Sequence, residues 1–200
     1  MGETDYADRG RGAGFATRAI HAGQHPDEST GAVTTPIYQV STYAQQAVGV
    51  HKGYDYSRTA TPTRTALEQN LASLEGADLG YAFSSGMAAA DAILRSLSPG
   101  ERVVLGDDAY GGTFRLISEI YGPAGIPWSA RDLTDPQALV ESWPEDTRLV
   151  WLESPTNPGL NIVDIAAVAE LAHERGALCF VDNTFATPYL QQPRALGADL

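Results

Sequence analysis

Several kinds of residue are scarce in this sequence of 200 amino acids, and their scarcity narrows the classes of protein it can belong to. Cys179 is the only cysteine, so an intrachain disulfide is impossible and a cytoplasmic location is the simplest interpretation. No apolar stretch is long enough to cross a bilayer. Basic residues number 13 against 25 acidic ones, and the formal net charge of -12 argues against nucleic acids and anionic membranes as partners.

Lysine is almost absent, because Lys52 is the only one and lies in an irregular N-terminal part of the chain. Residues 1–14 mix acidic residues, arginine and glycine without an apolar core, so we expect a disordered tail rather than a signal peptide. Residues 15–60 show neither a helical nor a strand period. An irregular segment of that length is usually functional or packs on a partner, so we predict an arm that contacts a neighbouring subunit.

From residue 61 onward the sequence alternates helix and strand patterns. Thr61 suits a helix N-cap, Pro62 suits the first helical position, and Gly76 suits the end of that helix. Apolar runs predict strands at 79–83, 103–106, 149–153 and 177–182, and helical spacing predicts helices at 88–97, 113–121, 135–143 and 164–176. The alternation predicts an α/β domain over residues 61–200, with a mostly parallel sheet between two layers of helices.

Two of the predicted strands end in glycine-containing turns that lead into helices. At Ser84-Ser85-Gly86-Met87, the glycine lets the backbone approach a ligand that faces the free N–H groups of the next helix. That arrangement suits a phosphate, although a glycine in a tight turn needs no ligand. After the next strand, Tyr110 is followed by Gly111 and Gly112, which leave room above its ring for a flat ligand.

The other two predicted strands end in polar side chains. Glu153-Ser154-Pro155-Thr156-Asn157-Pro158 fixes Asn157 as a hydrogen-bonding group, although an Asn-Pro turn is a fair alternative. Asp182 ends a buried apolar strand, where it can pair with a cationic ring nitrogen, a metal or a ribose hydroxyl, or can cap a turn. The adjacent Asp107 and Asp108 have no histidine or cysteine near them, so we expect them to satisfy a helix dipole and predict no metal site.

A phosphate turn, a stacking tyrosine, a fixed asparagine and a carboxylate at successive strand ends together suit pyridoxal phosphate. The phosphate would lie at the helix N-terminus, Tyr110 would cover one face of the ring, and Asp182 would pair with the ring nitrogen. Keeping that nitrogen protonated makes the ring an electron sink for carbanions. A serine hydrolase is the weaker hypothesis, because the chain has no Gly-x-Ser-x-Gly elbow.

Seven segments in this order carry a family pattern: Phe15-Ala16-Thr17-Arg18-Ala19-Ile20-His21-Ala22-Gly23, Tyr56-Ser57-Arg58, Pro62-Thr63-Arg64, Ser85-Gly86-Met87-Ala88-Ala89, Tyr110-Gly111-Gly112-Thr113, Glu153-Ser154-Pro155-Thr156-Asn157-Pro158 and Val181-Asp182-Asn183-Thr184-Phe185. Together they closely resemble the Cys/Met-metabolism family of pyridoxal-phosphate enzymes, which includes cystathionine γ-synthases and γ-lyases. The resemblance extends from Phe15 to the last residue. A milder difference is Thr59-Ala60-Thr61, where relatives often carry Ser-Gly-Asn.

The resemblance implies a fold and a set of site residues. The fold is the large domain of aspartate-aminotransferase-like enzymes, preceded by the arm. The expected cofactor contacts are phosphate binding by the backbone N–H groups of Gly86 and Met87, ring stacking by Tyr110, and a bond from Asp182 to the ring nitrogen. Asn157 and Thr184 are expected near the ring, and Tyr56 and Arg58 are expected to reach the phosphate from a neighbouring subunit. The family is typically a homotetramer, a dimer of dimers.

One departure from the family is serious. Its Schiff-base lysine follows a stretch like Ala198-Asp199-Leu200, at which this chain stops, and Lys52 does not match that position. The arginine that binds the substrate carboxylate and the small C-terminal domain also lie beyond Leu200. We therefore interpret the chain as the N-terminal half of a longer enzyme and expect these 200 residues alone to be inactive.

Among family members, Gly112 occupies a position where methionine γ-lyases tend to have cysteine, which makes that activity less favoured. The resemblance favours a cystathionine γ-synthase of methionine biosynthesis, which replaces the γ-substituent of an O-acylated homoserine with cysteine. In the family the lysine moves most of the protons, and Tyr110 and the neighbouring subunit's Tyr56 assist. Alternatives are cystathionine γ-lyase and, from another class, a non-catalytic module that binds the cofactor or another phosphate ligand.

Overall fold

The computed structural model describes residues 12–200, and these form two compact units. The first ends at Ala82 and the second is Phe83–Leu200. The predicted disordered tail at residues 1–14 lies largely outside the described residues. The first long helix, Pro62–Glu75, belongs to the N-terminal unit, and the assignment of residues 15–60 to an arm and 61–200 to a cofactor domain stays a prediction.

The N-terminal unit contains two helices, α1 (Phe15–His21) and α2 (Pro62–Glu75). Thr61 caps α2 by accepting a hydrogen bond from the Arg64 N–H, and Gly76 ends it at a φ of 68°, as expected. Helix α1 corrects the expectation that residues 15–60 have no regular structure. A seven-residue helix is unstable alone, and the Asn70 side chain of α2 stabilises it by donating to backbone carbonyls near its end.

The predicted strand at 79–83 is wrong, because no strand forms there in the described part of the chain. The side chains of Leu79 and Tyr81 are 70% and 74% exposed, so the apolar alternation does not face a core. Instead the segment lies against α2. The Ala82 N–H donates to the Glu68 carboxylate at 3.0 Å, and Gly80 approaches the Glu68 carbonyl so closely that a Cβ would clash with it.

The C-terminal unit alternates helices and strands in chain order. Its elements are α3 (Gly86–Leu94), β1 (Arg102–Gly106), α4 (Gly111–Arg115), β2 (Trp128–Arg131), α5 (Pro136–Glu141), β3 (Thr147–Glu153), α6 (Ile165–Glu174), β4 (Leu178–Asp182) and α7 (Thr187–Leu190). Helix α4 continues as a π-helical segment, Leu116–Tyr121, where one α-helix was predicted over 113–121, and a 3-10 turn, Pro193–Leu196, follows α7. The four strands are all parallel in the order β2-β1-β3-β4, which confirms the α/β class.

Helices cover both faces of this sheet, so the unit has three layers. One core joins Val150, Cys179 and Val181 of the sheet to helices α5 and α6. The other joins Trp151 of β3 to α3 and the π-helical segment. Cys179 is a core residue. It is fully buried, and burial raises the pKa of its thiol to about 12, which keeps it protonated and unreactive near neutral pH.

Neither a membrane-spanning helix nor a metal-binding cluster is found among the described residues. Within residues 12–200 we find no helix with the length and apolarity that a membrane span requires. In the same range no three side chains of histidine, cysteine, aspartate or glutamate are grouped so that they could hold a metal ion.

Candidate cofactor site

The candidate site lies at the edge of the sheet where the parallel strands end. Strand β1 ends at Gly106, β3 at Glu153 and β4 at Asp182. Carboxyl ends of parallel strands meet at one edge, which is where open α/β sheets bind ligands. Although the strand predicted before Ser84 is absent, the Ser84-Ser85-Gly86 turn still leads into α3.

The start of α3 presents free backbone donors. The Ser85 side chain caps the helix by accepting from the Ala88 N–H at 3.1 Å. Among the described residues, neither the Gly86 N–H nor the Met87 N–H has a hydrogen-bond partner. A Cβ placed on Gly86 would meet no atom within 4 Å, so there is open space at this turn. Free N–H groups at a nine-residue helix facing open space fit an anion such as a phosphate.

Tyr110 stands directly before α4 and is 45% exposed, so a large part of this residue is accessible to a ligand. Its backbone N–H donates to Glu153 Oε1 at 2.8 Å. Gly112 packs beneath the ring, because a Cβ there would clash with the Tyr110 ring and lie 3.0 Å from Met87 Sδ. The missing side chain of Gly112 therefore brings Tyr110 next to the beginning of α3.

Replacing Gly112 with alanine is expected to displace the Tyr110 ring, because the new methyl group and the ring require the same space. Overpacking of this kind costs about 1–3 kcal/mol of unfolding free energy. Urea unfolding and titration with pyridoxal phosphate would measure the loss of stability and a weaker affinity. Gly111→Ala is the matched control, since its Cβ would approach only the flexible end of Arg115, at 3.3 Å. Equal stability and affinity for the two variants would contradict the packing role of Gly112.

The loop that carries Asn157 is anchored by Asp108. One oxygen of this carboxylate, Oδ2, accepts hydrogen bonds from Thr156 Oγ1 at 2.5 Å, the Gly159 N–H at 3.0 Å and Asn161 Nδ2 at 3.2 Å. This corrects the expectation that Asp108 satisfies a helix dipole. The carboxylate faces the loop after β3, and Asn157, which lies between these contacts, is half-buried.

Asp182 and Thr184 form a local turn at the end of β4. The Thr184 N–H donates to Asp182 Oδ1 at 3.0 Å, and the Thr184 hydroxyl donates to the same oxygen. The other oxygen, Oδ2, accepts no hydrogen bond from the described residues. Thr184 thus orients the carboxylate and leaves one oxygen for a ligand, which fits a cationic ring nitrogen.

Glu153 is a site residue that the sequence analysis did not identify. It is only 5% exposed, and it pairs in register with Asp182 across β3 and β4. The pKa of the Glu153 carboxyl is raised to about 7, mainly by burial and also by the nearby carboxylates of Asp182 and Asp108, while the hydrogen bond from the Tyr110 N–H opposes the rise. The available signal was an ionisable residue directly after an apolar strand, the same signal that identified Asp182.

A cavity of about 400 Å³ adjoins these side chains. Its lining is rich in carboxylates, and it includes Asp107, Asp108, Asp132 and Glu153. Thr156 and Asn161 of the loop after β3 also line it. The cavity lies wholly within the C-terminal unit, where strands β1 and β3 end.

Tyr56 and Arg58 belong to the N-terminal unit. The Arg58 guanidinium lies 5.1 Å from the centre of the Tyr56 ring, and Arg58 Nη2 donates to the Tyr56 hydroxyl at 3.4 Å. Both residues are exposed. Their expected contact with a phosphate in a neighbouring subunit stays a prediction.

The chain is similar to known proteins over nearly its whole length. The chain is 52% identical over 187 residues to a probable cystathionine gamma-synthase of Herpetosiphon aurantiacus, covering 94% of this chain and 59% of that protein. It is 51% identical over 185 residues to a cystathionine beta-lyase of Coxiella burnetii, covering 92% and 48%. A crystal structure of cystathionine gamma-lyase from Lactobacillus plantarum complexed with L-serine has a TM-score of 0.90 at 44% identity, covering 94% of this chain and 49% of that one.

The chain thus spans roughly half the length of the relatives it matches, 59% of the first and 48% of the second. A family model described as Cys/Met metabolism PLP-dependent enzyme matches residues 16–200, nearly the whole chain. That description makes pyridoxal phosphate (PLP) the cofactor of the family. On this match, and with a strand edge whose free donors and carboxylate suit that cofactor, the chain belongs to the family of Cys/Met metabolism PLP-dependent enzymes.

Proposed function

We propose that the sheet edge of the C-terminal unit binds pyridoxal phosphate in the enzyme to which this chain belongs. The observation that carries the proposal is the set of free groups at one edge: the unpartnered N–H groups of α3, the exposed part of Tyr110 and the open oxygen of Asp182. In this arrangement Gly86 and Met87 bind the phosphate through backbone N–H groups, Tyr110 stacks on the ring, and Asp182 holds the ring nitrogen.

The remaining residues complete the proposed site. Asn157 and Thr184 lie near the ring, and Thr184 also keeps Asp182 in place through two hydrogen bonds. Tyr56 and Arg58 of a neighbouring subunit reach the phosphate, Arg58 with two parallel donors of its guanidinium. Their exposure supports a role toward a partner, in a homotetramer built from two dimers.

When bound, the cofactor supplies an electron sink for negative charge that develops on an amino-acid substrate. The Asp182 carboxylate keeps a proton on the ring nitrogen by charge pairing. Stacking on Tyr110 holds the cofactor ring in a fixed orientation. The hydroxyl groups of Tyr110 and of Tyr56 from the neighbouring subunit are available to assist proton transfer. The main proton carrier is expected to be the family's Schiff-base lysine.

For the reaction we propose γ-replacement, in which the sulfur of cysteine bonds to Cγ of an O-acylated homoserine and the acyloxy group leaves as a carboxylate, giving cystathionine. The Tyr110-Gly111-Gly112-Thr113 segment and the similarity to a probable cystathionine gamma-synthase support it. The alternative is elimination from cystathionine. Relatives named as a gamma-lyase and a beta-lyase match almost as well, so cleavage on either side of the sulfur is the competing activity. We propose a cytoplasmic location, on the strength of the single buried cysteine.

Assays on the full-length protein from its native source test this function. An intact mass under denaturing conditions comes first, because a mass well above 21.3 kDa means that the polypeptide continues past Leu200. The protein is then given an O-acylated homoserine with cysteine, or cystathionine alone. We expect cystathionine from the first mixture. From the second, γ-elimination would release cysteine and 2-oxobutyrate, and β-elimination would release homocysteine and pyruvate, each with ammonia.

The outcomes separate the hypotheses. Faster release of a keto acid from cystathionine than formation of cystathionine would replace the synthase with a lyase. Cofactor binding without turnover, at a mass matching 21.3 kDa, would favour the non-catalytic binding module. We expect the 200-residue chain alone to be inactive, and turnover by it would contradict that expectation.

A further inference from the structure

Glu153 occupies a position between the two residues that hold the ring in the proposed site. Its Oε1 accepts the backbone N–H of Tyr110, the residue expected to stack on the ring. Its backbone pairs in register with Asp182, the residue expected to bind the ring nitrogen. Register neighbours on parallel strands project their side chains on the same face of the sheet, so the two carboxyl groups are adjacent.

No positive charge compensates Glu153 within residues 12–200, where none of the ion pairs includes it. The other titratable side chains that line its cavity are all carboxylates, Asp107 and Asp108 after β1 and Asp132 after β2, and Asp182 on β4 adds a further negative charge beside it. A buried carboxyl among like charges favours its neutral form, and a cation bound beside it makes the ionised form easier to reach. Cation binding at Asp182 and ionisation of Glu153 therefore favour each other.

We propose that Glu153 is a positioning residue of the cofactor site, which fixes Tyr110 through its backbone and supplies a second carboxyl group that strengthens the hold of Asp182 on a cationic ring nitrogen. The inference rests on the proposed function, since it requires the ring nitrogen to lie at Asp182. Glu153 acts through Tyr110 and Asp182 and need not touch the cofactor itself.

The test uses the full-length protein freed of cofactor, with pyridoxamine 5′-phosphate as the probe, since this amine binds without a Schiff-base lysine. Its dissociation constant is measured calorimetrically at pH 5.5 and pH 8 for the wild type and for Glu153→Gln, which keeps the acceptor oxygen and removes the charge. We expect equal affinities at pH 5.5, where the carboxyl is protonated. At pH 8 the variant should bind about tenfold more weakly, the equivalent of about one pKa unit of coupling.

Two further variants isolate the two contributions of Glu153. Glu153→Ala removes the acceptor of the Tyr110 N–H, so it should bind more weakly at both pH values, and the glutamine variant should restore affinity at pH 5.5. Glu145→Gln changes an exposed carboxylate elsewhere and should match the wild type throughout. If the dissociation constants of Glu153→Gln and the wild type have the same ratio at both pH values, that result would overturn the role of the Glu153 charge in binding. Equal affinities of the alanine and glutamine variants at pH 5.5 would overturn the role toward Tyr110.

A measurement without cofactor gives an independent readout. The pKa of Glu153 rises on folding from 4.5 to about 7, so the folded protein holds a proton that the unfolded chain releases. The wild type should lose thermal stability relative to Glu153→Gln as the pH rises from about 4.5 through 7, and the difference should then level off. A pH-independent difference would overturn the buried ionisation on which the charge role depends.

Failure of the inference and failure of the proposed function give different results. An Asp182→Asn variant reports on the cofactor site itself. If neither the wild type nor any variant binds pyridoxamine phosphate, the proposed function is wrong. If the wild type binds, and Asp182→Asn weakens binding while Glu153→Gln does not at either pH, only the role of Glu153 is overturned.

Discussion

Replacement of Asp182 by asparagine in the full-length protein should weaken pyridoxal phosphate binding by about ten- to hundredfold. The variant keeps the shape of the side chain and an oxygen that Thr184 can still bond, so the change removes mainly the negative charge. A charge-assisted hydrogen bond is worth about 1.5–3 kcal/mol, and each 1.4 kcal/mol is about a factor of ten in affinity. Turnover should fall further, by about 10²–10³, because a neutral ring nitrogen stabilises developing negative charge poorly.

Equilibrium titration with the cofactor, followed by its absorbance, measures the first effect, and steady-state kinetics on the same samples measure the second. Glu145→Gln serves as the control, because it removes one negative charge from an exposed position outside the site. Unchanged affinity in Asp182→Asn would mean that the ring nitrogen does not lie at the end of β4. The proposed orientation of the cofactor would then be abandoned.

Replacement of Asp108 by alanine should lower the unfolding free energy of the protein, because its carboxylate anchors the loop that carries Asn157. Three donors from the loop after β3 lose their shared acceptor, and one of them, the Thr156 hydroxyl, belongs to a residue that is 6% exposed. Each buried polar group left unpaired costs about 1–3 kcal/mol, so we expect a loss of about 2–4 kcal/mol of unfolding free energy. The loop that presents Asn157 should become mobile, and cofactor affinity should fall with it.

Urea denaturation measures the stability, and hydrogen exchange at the Gly159 amide, which now donates to Asp108, reports on the loop directly. Asp107→Ala is the matched control. Its carboxylate is adjacent in the chain, exposed, and without a hydrogen bond among those recorded for the described residues. Equal exchange rates at Gly159 in the two variants would show that Asp108 does not anchor the loop.

Local sequence patterns predicted the central strands of this chain well. Strands β1 and β3 lie in the middle of the sheet and are buried on both faces, and β4 beside them is buried on one face and half-buried on the other, so all three contain unbroken apolar runs. Helix α6 was also predicted within two residues at each end, from its cap Asp164 and the apolar face that packs on the sheet. In these elements local propensity and tertiary burial favour the same structure.

The sequence predictions failed where the local pattern of apolar residues does not match the burial of those residues in the folded protein. Strand β2 (Trp128–Arg131) was missed because it is a four-residue edge strand, half-buried throughout, with no apolar run to mark it. Residues 79–83 alternate apolar and small side chains as a strand does, yet Leu79 and Tyr81 are largely exposed. Helix α1 is too short to be stable alone and depends on contacts from α2.

The sequence by itself determined the residues placed at strand ends and at helix starts, because a strand or a helix cap is specified by its own neighbours in the chain. Gly86, Tyr110, Asn157 and Asp182 were all identified in this way. Only the tertiary structure decided how these residues are held. Glu153 contacts Tyr110 across 43 residues of sequence, and Asp108 contacts Thr156, Gly159 and Asn161 across 48 to 53. Contacts between residues so far apart in the sequence form only when their strands become neighbours in the sheet. The order of strands in a sheet cannot be predicted from local sequence patterns.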